Sequence, residues 1–232
     1  MARIFRILAG LTAAFLTISS ALADEGRLIA VPGEGRVAAR PDMATVSLGV
    51  RREDRQAGAA MRAASEAGAA VLATLAEAGV DDGDVQTTRI GLDPRYQHSN
   101  DGSPPRITGY VASNDLVVRV RDLEGLGAIL DALVVDGANS FSGIRFGLSE
   151  PEEAEAEARA AAVADALARA ETLAGAAGVT LGPLMSLDEA GLGGPVPQPI
   201  MRAAMMEAAS VPVAEGEVEV TVRVTATFAI ED

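Results

Sequence analysis

The chain has 232 residues, with 33 acidic side chains against 19 basic ones, all of the latter arginine, and no cysteine. A net charge of −14 argues against partnership with nucleic acid or with anionic lipid headgroups, and a chain without cysteine must hold together on its core alone, with no disulfide and no thiol for lipidation. Two tyrosines, five phenylalanines and no tryptophan leave too few rings for an aromatic cage or a stacking platform.

Residues 1–23 read as a secretory signal peptide. Arg3 and Arg6 form a basic start, Ile7 to Ile18 an apolar stretch, and Ala21-Leu22-Ala23 a small-residue cleavage site before Asp24. The apolar run breaks at Ser19-Ser20 and again at Asp24-Glu25, short of the ~20 residues a spanning helix needs. Export and cleavage after Ala23 are therefore expected, leaving residues 24–232 as one domain with no integral membrane span.

Along the mature chain, RLIAVPGEGRV is extended, Pro41-Asp42 turns the chain, and MATVSLGVRR places Ala44, Val46, Leu48 and Val50 on one face. These are two strands. Asp54 is expected to cap a helix from about Arg55 to Ala78, with Met61, Ala64, Gly68, Val71, Leu72 and Leu75 inward at three- and four-residue spacing. Asp81-Asp82-Gly83-Asp84 is a turn, too short of ligands for a calcium loop. It leads into the strand VQTTRIGLDPRY, a polar tip QHSNDGSPP, and a long strand from Ile107 to Arg121. A second helix, capped by Asp122, turns Leu123, Leu126, Ile129, Leu130 and Leu133 inward and ends at Gly137, and FSGIRFGL follows as a strand. Ser149 and Glu152 then have the spacing of a capping box, with Pro151 in the first turn of a third helix that runs to about Gly178. Its crowded N-terminal acids sit at the positive end of the helix dipole, which explains them without a ligand. VTLGPLMSL is a short strand, residues 189–215 a Gly/Pro/Met-rich loop, and EVEVTVRVTATFAI a closing strand in strict alternation. The fold class is α+β, a mostly antiparallel sheet with three helices in the order ββαββαβαββ.

Three patterns invite a chemical reading. Ser113, Asn114 and Asp115 interrupt an apolar strand, but alternation sends Asn114 to the side of Tyr110, Ala112, Leu116, Val118 and Val120 and the other two to the side of Arg119 and Arg121. A serine nucleophile needs a base, and the single histidine, His98, belongs to the hairpin tip. Asn114 is instead expected to satisfy backbone groups at an irregularity in the strand. GEGRVA at 33–38, with Glu53 twenty residues on, imitates a dinucleotide-binding fingerprint. The strand after Pro41 stands where that motif needs a helix, so a glycine bulge is the expected reading. His98 with Asn100 and Asp101 lacks the ligand set of a metal site. Finally, Met201, Met205 and Met206 have helical spacing with Ile200. A soft-metal site for Cu(I) is one reading, and an amphipathic helix covering the body or a neighbouring subunit is the plainer one.

Four blocks, VPGEGRVAARPDMATVSLGV, ITGYVASNDLVVRVRDLEGLGAILDALVVDGAN, GIRFGLSEPEEAEAEARAAAVADALARAETLAGAAGV and EGEVEVTVRVTATFAI, together resemble the SIMPL-domain (DUF541) family of bacterial exported proteins in order and spacing. The resemblance implies an α+β domain that assembles into homo-oligomers, located in the periplasm or associated with the outer membrane, and linked to envelope or oxidative stress. It implies no catalytic residue and no cofactor. The expected function is that of a non-enzymatic envelope protein acting through its surface, with a copper binder or a periplasmic hydrolase as the alternatives.

Overall fold

The computed structural model of the chain describes residues 27–98, 104–190, 196–198 and 213–231. In chain order these form β1 (Leu28–Ala39), β2 (Met43–Asp54), α1 (Ala57–Glu77), a 3-10 turn (Asp82–Asp84), β3 (Val85–Gln97), β4 (Arg106–Val120), α2 (Leu126–Val135), β5 (Ser140–Gly147), α3 (Glu152–Ala177), β6 (Thr180–Ala190), β7 (Val196–Gln198) and β8 (Glu217–Glu231). The class is α+β, as the hydrophobic periods predict. The element order differs only by β7, a three-residue strand inside the stretch expected to be loop, which pairs with Glu217–Glu219 at the start of β8.

Instead of one sheet there are two, each antiparallel, the first carrying α3 on one face and the second α1 and α2. The first runs β1-β8-β6, with β7 also against β8, and the second β3-β4-β2-β5. Period-2 alternation decides what each sheet buries. In the second sheet Ala44, Val46, Leu48 and Val50 of β2 and Leu116, Val118 and Val120 of β4 join Val71 and Leu75 of α1 and Leu126, Ile129, Leu130 and Leu133 of α2 in one core. In the first, Val220, Val222, Val224 and Phe228 of β8 lie under Ala158, Ala162, Ala166 and Ala170 of α3.

The helix starts differ from the expected caps. Asp54 ends β2, and its Oδ1 accepts the Gln56 backbone N–H at 2.8 Å, holding the turn before α1 rather than capping it. Asp122 Oδ1 accepts the Gly125 N–H at 3.0 Å, one residue before α2 begins. Ser149 makes no capping box with Glu152. Its hydroxyl donates to Asp42 Oδ2 at 2.6 Å and its N–H to Asp42 Oδ1 at 2.7 Å, so a carboxylate from the β1–β2 turn satisfies the chain just ahead of α3, and Pro151 takes the cap position. Leu72, expected inside, is exposed, because α1 covers β2 and β4 and not β3.

Candidate functional site

The residues of the VASND interruption diverge as alternation requires. Ser113 pairs with Gly91 of β3, and a Cβ on that glycine would fall 2.7 Å from Ser113 Oγ, so the hydroxyl sits over the β3 side of the sheet. His98 follows the end of β3, seven positions from Gly91, which at ~3.3 Å per residue removes it from any role as base for Ser113. Asn114 points the other way, under α1, where a Cβ on Gly68 would lie 2.8 Å from its Nδ2. The expectation that Asn114 satisfies backbone groups at an irregularity is corrected. The β2–β4 register is unbroken through Val50↔Asn114, and the Asn114 Oδ1 atom is buried without a hydrogen-bond partner. The irregularity lies across the ladder at Thr88 of β3, and it is the Thr88 hydroxyl that donates to the Asp115 carbonyl, at 3.1 Å.

GEGRVA is not a bulge either. The β1–β8 register runs without a shift from Leu28↔Ala229 to Ala39↔Val218. The two glycines are there because α3 approaches the strand backbone: a Cβ on Gly33 would fall 2.1 Å from the Ala162 carbonyl oxygen, and one on Gly35 2.0 Å from that of Ala158. Between them, the Glu34 N–H donates to Asp165 Oδ2 of α3 at 2.9 Å, and this bond holds the Asp165 carboxyl below the usual range. The Glu34 side chain is itself held down, chiefly by its hydrogen bond from Arg36 and further by Arg223. Glu53, the distant acid of the apparent fingerprint, is ion-paired to Arg95 on the other sheet.

The DDGD turn buries Asp84 as a lock rather than a ligand. Arg121 donates to both its oxygens, at 2.9 and 3.3 Å, and Arg119 Nε stands 3.3 Å away. The Arg121 hydrogen bond holds Asp84 below the ordinary carboxylate range. Among the described residues no cluster of histidine, aspartate and glutamate has the arrangement of a metal site.

Two surfaces remain open. A cleft of about 940 Å³ lies where β2 ends beside the far part of the β3–β4 hairpin, lined by Glu53, Asp54, Arg55, Arg95, Tyr96 and Thr108 among others. Glu53 and Arg95 pair across it, and its lining contains no histidine, so it offers hydrogen bonds and a ring but no nucleophile with a base. The second surface is the outer strands themselves. α1 lies on β2 and β4 and α3 chiefly on β1 and β8, and on β3, β5 and β6 large apolar side chains, Ile90, Leu92, Phe141, Leu184, Met185 and Leu187, stand exposed.

Residues 29–228 match the family described as SIMPL, a protein of unknown function (DUF541). The chain belongs to the SIMPL family. It is 40% identical over 212 residues to the 26 kDa periplasmic immunogenic protein of Brucella melitensis, covering 88% of this chain and 84% of that one. It is also 28% identical to uncharacterized protein YggE of Edwardsiella ictaluri, over 74% of this chain and 71% of the relative, and 28% identical to YggE of Escherichia coli K12, over 83% and 76%. Among the described residues of the SIMPL chain, no helix is long and apolar enough to cross a membrane.

The signal cleavage residues Ala21, Ala23 and Asp24 and the stripe of Ile200, Met201, Met205 and Met206 lie outside the described residues. Sequence reasoning missed the Gly33/Gly35 approach and the Asp165 bond. The signal was present in α3, where alanine recurs every fourth position from Ala158 to Ala174, a flat seam that only a glycine-bearing partner meets this closely.

Proposed function

We propose that this SIMPL protein is exported to the periplasm, performs no catalysis, and works in the cell envelope as a homo-oligomer. The observation that carries this reading is the row of large apolar side chains left exposed on the edge strands β3, β5 and β6. Apolar side chains left exposed on sheet edges mark surfaces that a second copy of the chain would bury. The periplasmic location draws on the leader-like residues 1–23 and on the Brucella relative, named as periplasmic at 40% identity. Absence of catalysis draws on the divergence of Ser113 from Asn114 and the separation of both from His98. Ile200, Met201, Met205 and Met206 are a further candidate for the contact. Association with the outer membrane and a part in envelope or oxidative stress belong to the same proposal, tested by membrane fractionation and by survival of a deletion strain under oxidant.

Light scattering on the mature protein at micromolar concentration tests the assembly. A mass that is a multiple of the single chain is expected, and a single-chain mass overturns the reading. Replacing residues 199–212 by a short Gly/Ser bridge then tests the methionine stripe. Loss of the assembly is expected, and full oligomer mass removes that stripe from the contact.

A further inference from the structure

β3 is an edge of the second sheet: β4 pairs with it on one side, and among the described residues no strand does on the other. An open edge offers unpaired backbone N–H and C=O groups to another chain, and proteins block such edges with bulges, prolines and charges that point toward the covered face. The edges of this fold differ in how they are blocked. β6 carries Pro183 and two irregularities, β5 an irregular step against β2, and β1 has Pro32 within it. In β3 the blocks flank a clean stretch, an irregularity at Thr88 on one side and Pro94 on the other, and Arg89 to Asp93 between them keep unbroken register with β4.

That stretch, Arg89-Ile90-Gly91-Leu92-Asp93, is complementary to itself about Gly91. Ile90 and Leu92 pair with Asn114 and Ala112 and so lie on the α1 side of the sheet, whereas Arg89, Gly91 and Asp93 lie on the opposite face. α1 leaves β3 uncovered, and Ile90 is 64% and Leu92 41% exposed. On the other face Arg89 comes no nearer to Asp93 of its own strand than 3.9 Å, and the two side chains stay 64% and 68% exposed, open to charges from outside the chain. If a second β3 is laid antiparallel along this edge, with a two-fold axis through Gly91 and normal to the sheet, Ile90 of each copy falls opposite Leu92 of the other and Arg89 opposite Asp93. The irregularity at Thr88 then faces Pro94, so the devices that end the pairing meet at both limits. An axis through Leu92 would instead set Arg89 against Arg95, and one through Ile90 would set Arg89 against Gly91.

We propose that a second copy of this chain adds its β3 to the β3 edge in antiparallel, two-fold register about Gly91, joining the four-stranded sheets of the two copies into one. The proposal rests on the homo-oligomer proposed above and names its contact. Backbone hydrogen bonds supply the attraction, as in other cases of strand addition to an open edge. The Ile90–Leu92 pairs bury apolar surface on the α1 side, and the Arg89–Asp93 pairs on the far face fix the register. Because the same patch serves both copies, the contact is isologous and closes at two, so any larger assembly holds an even number of chains and uses another surface as well.

The test is charge reversal on the mature full chain, read by sedimentation across a dilution series. Arg89→Asp sets like charges opposite one another twice in the contact, and so does Asp93→Arg. Each variant alone is expected to dissociate at a concentration about tenfold or more above that of the wild type. In an equimolar mixture the two carboxylates of one chain meet the two guanidinium groups of the other, and wild-type association is expected to return. The ion pair within one strand cannot produce that rescue, since each chain of the mixture still carries like charges at both positions. Should either variant lose cooperative unfolding in urea, Arg89→Glu with Asp93→Lys repeats the exchange. Single-chain mass for the wild type overturns the homo-oligomer reading and this contact with it. An assembled wild type with an odd number of chains, with variants that dissociate no more readily, or with a mixture that fails to recover, overturns the contact alone.

Discussion

Gly33 of β1 and Ala162 of α3 meet backbone to backbone, with no room for a side chain between them: a Cβ on Gly33 would overlap the Ala162 carbonyl oxygen at 2.1 Å and the Ala166 Cβ at 2.7 Å. Gly33→Val is therefore expected to force the helix off its strand and lower stability by about 3 kcal/mol, the upper end of overpacking costs. Chemical unfolding in urea measures it. An unchanged midpoint would show that α3 stands further from β1 than the structure places it.

Asn114→Leu is expected to raise stability by about 1 kcal/mol. The change removes a buried carbonyl oxygen that has no partner and substitutes an apolar group of similar shape beneath α1, the case in which losing a polar group is neutral or favourable. A lower melting temperature for the variant would mean that the Asn114 amide is satisfied in solution.

Acid should weaken the fold through two carboxylates whose native values are depressed, Asp84 by the Arg121 hydrogen bond and Asp165 by the Glu34 N–H. The sign follows from linkage: a depressed acid contributes fully above its unfolded value, about 3.9, and loses that contribution as pH falls through its lower native value. Stability measured from pH 6 down to pH 2 should fall across this acidic window in the wild type and less steeply in Asp84→Asn and Asp165→Asn. Parallel curves for all three proteins would remove both residues from the acid response.

Ser113→Ala should leave any activity of the protein intact, because Ser113 opposes Gly91 and His98 lies at the far end of the strand. Covalent labelling of Ser113 by a serine-directed probe would contradict this.

Cleavage after Ala23 is expected on export, so the intact mass of the envelope-fraction protein should correspond to a chain beginning at Asp24. A mass that still includes residues 1–23 would place the leader among the retained parts of the protein.

What could be read from the sequence was set by how far each element depends on its neighbours. β8 and β2 are legible because strict alternation, Val218 to Val224 and Ala44 to Val50, reports burial on one face whatever packs there. Leu126, Ile129, Leu130 and Leu133 were legible for the same reason in a helix. Leu72 was not, because its spacing shows which side of α1 it occupies but not that the helix leaves β3 uncovered. Neither was the reason for Gly33 and Gly35, which depends on a helix more than a hundred residues away. Ser149 satisfied a local cap pattern yet found a better acceptor in Asp42, a contact that only the assembled fold brings within reach.

The alanine seam of α3 is periodic. Alanine stands at 158, 162, 166, 170 and 174, so sliding the helix along β1 by four residues, about 6 Å at 1.5 Å per residue, would lay one methyl where another had been and leave the packing almost unaltered. Shape alone therefore cannot index the helix. The indexing falls to polar groups that occur once each, Asp165 on the Glu34 N–H and Arg159 on Glu189, which act as detents on an otherwise smooth track: small contacts in energy, but the ones that select a single alignment from several nearly equal ones.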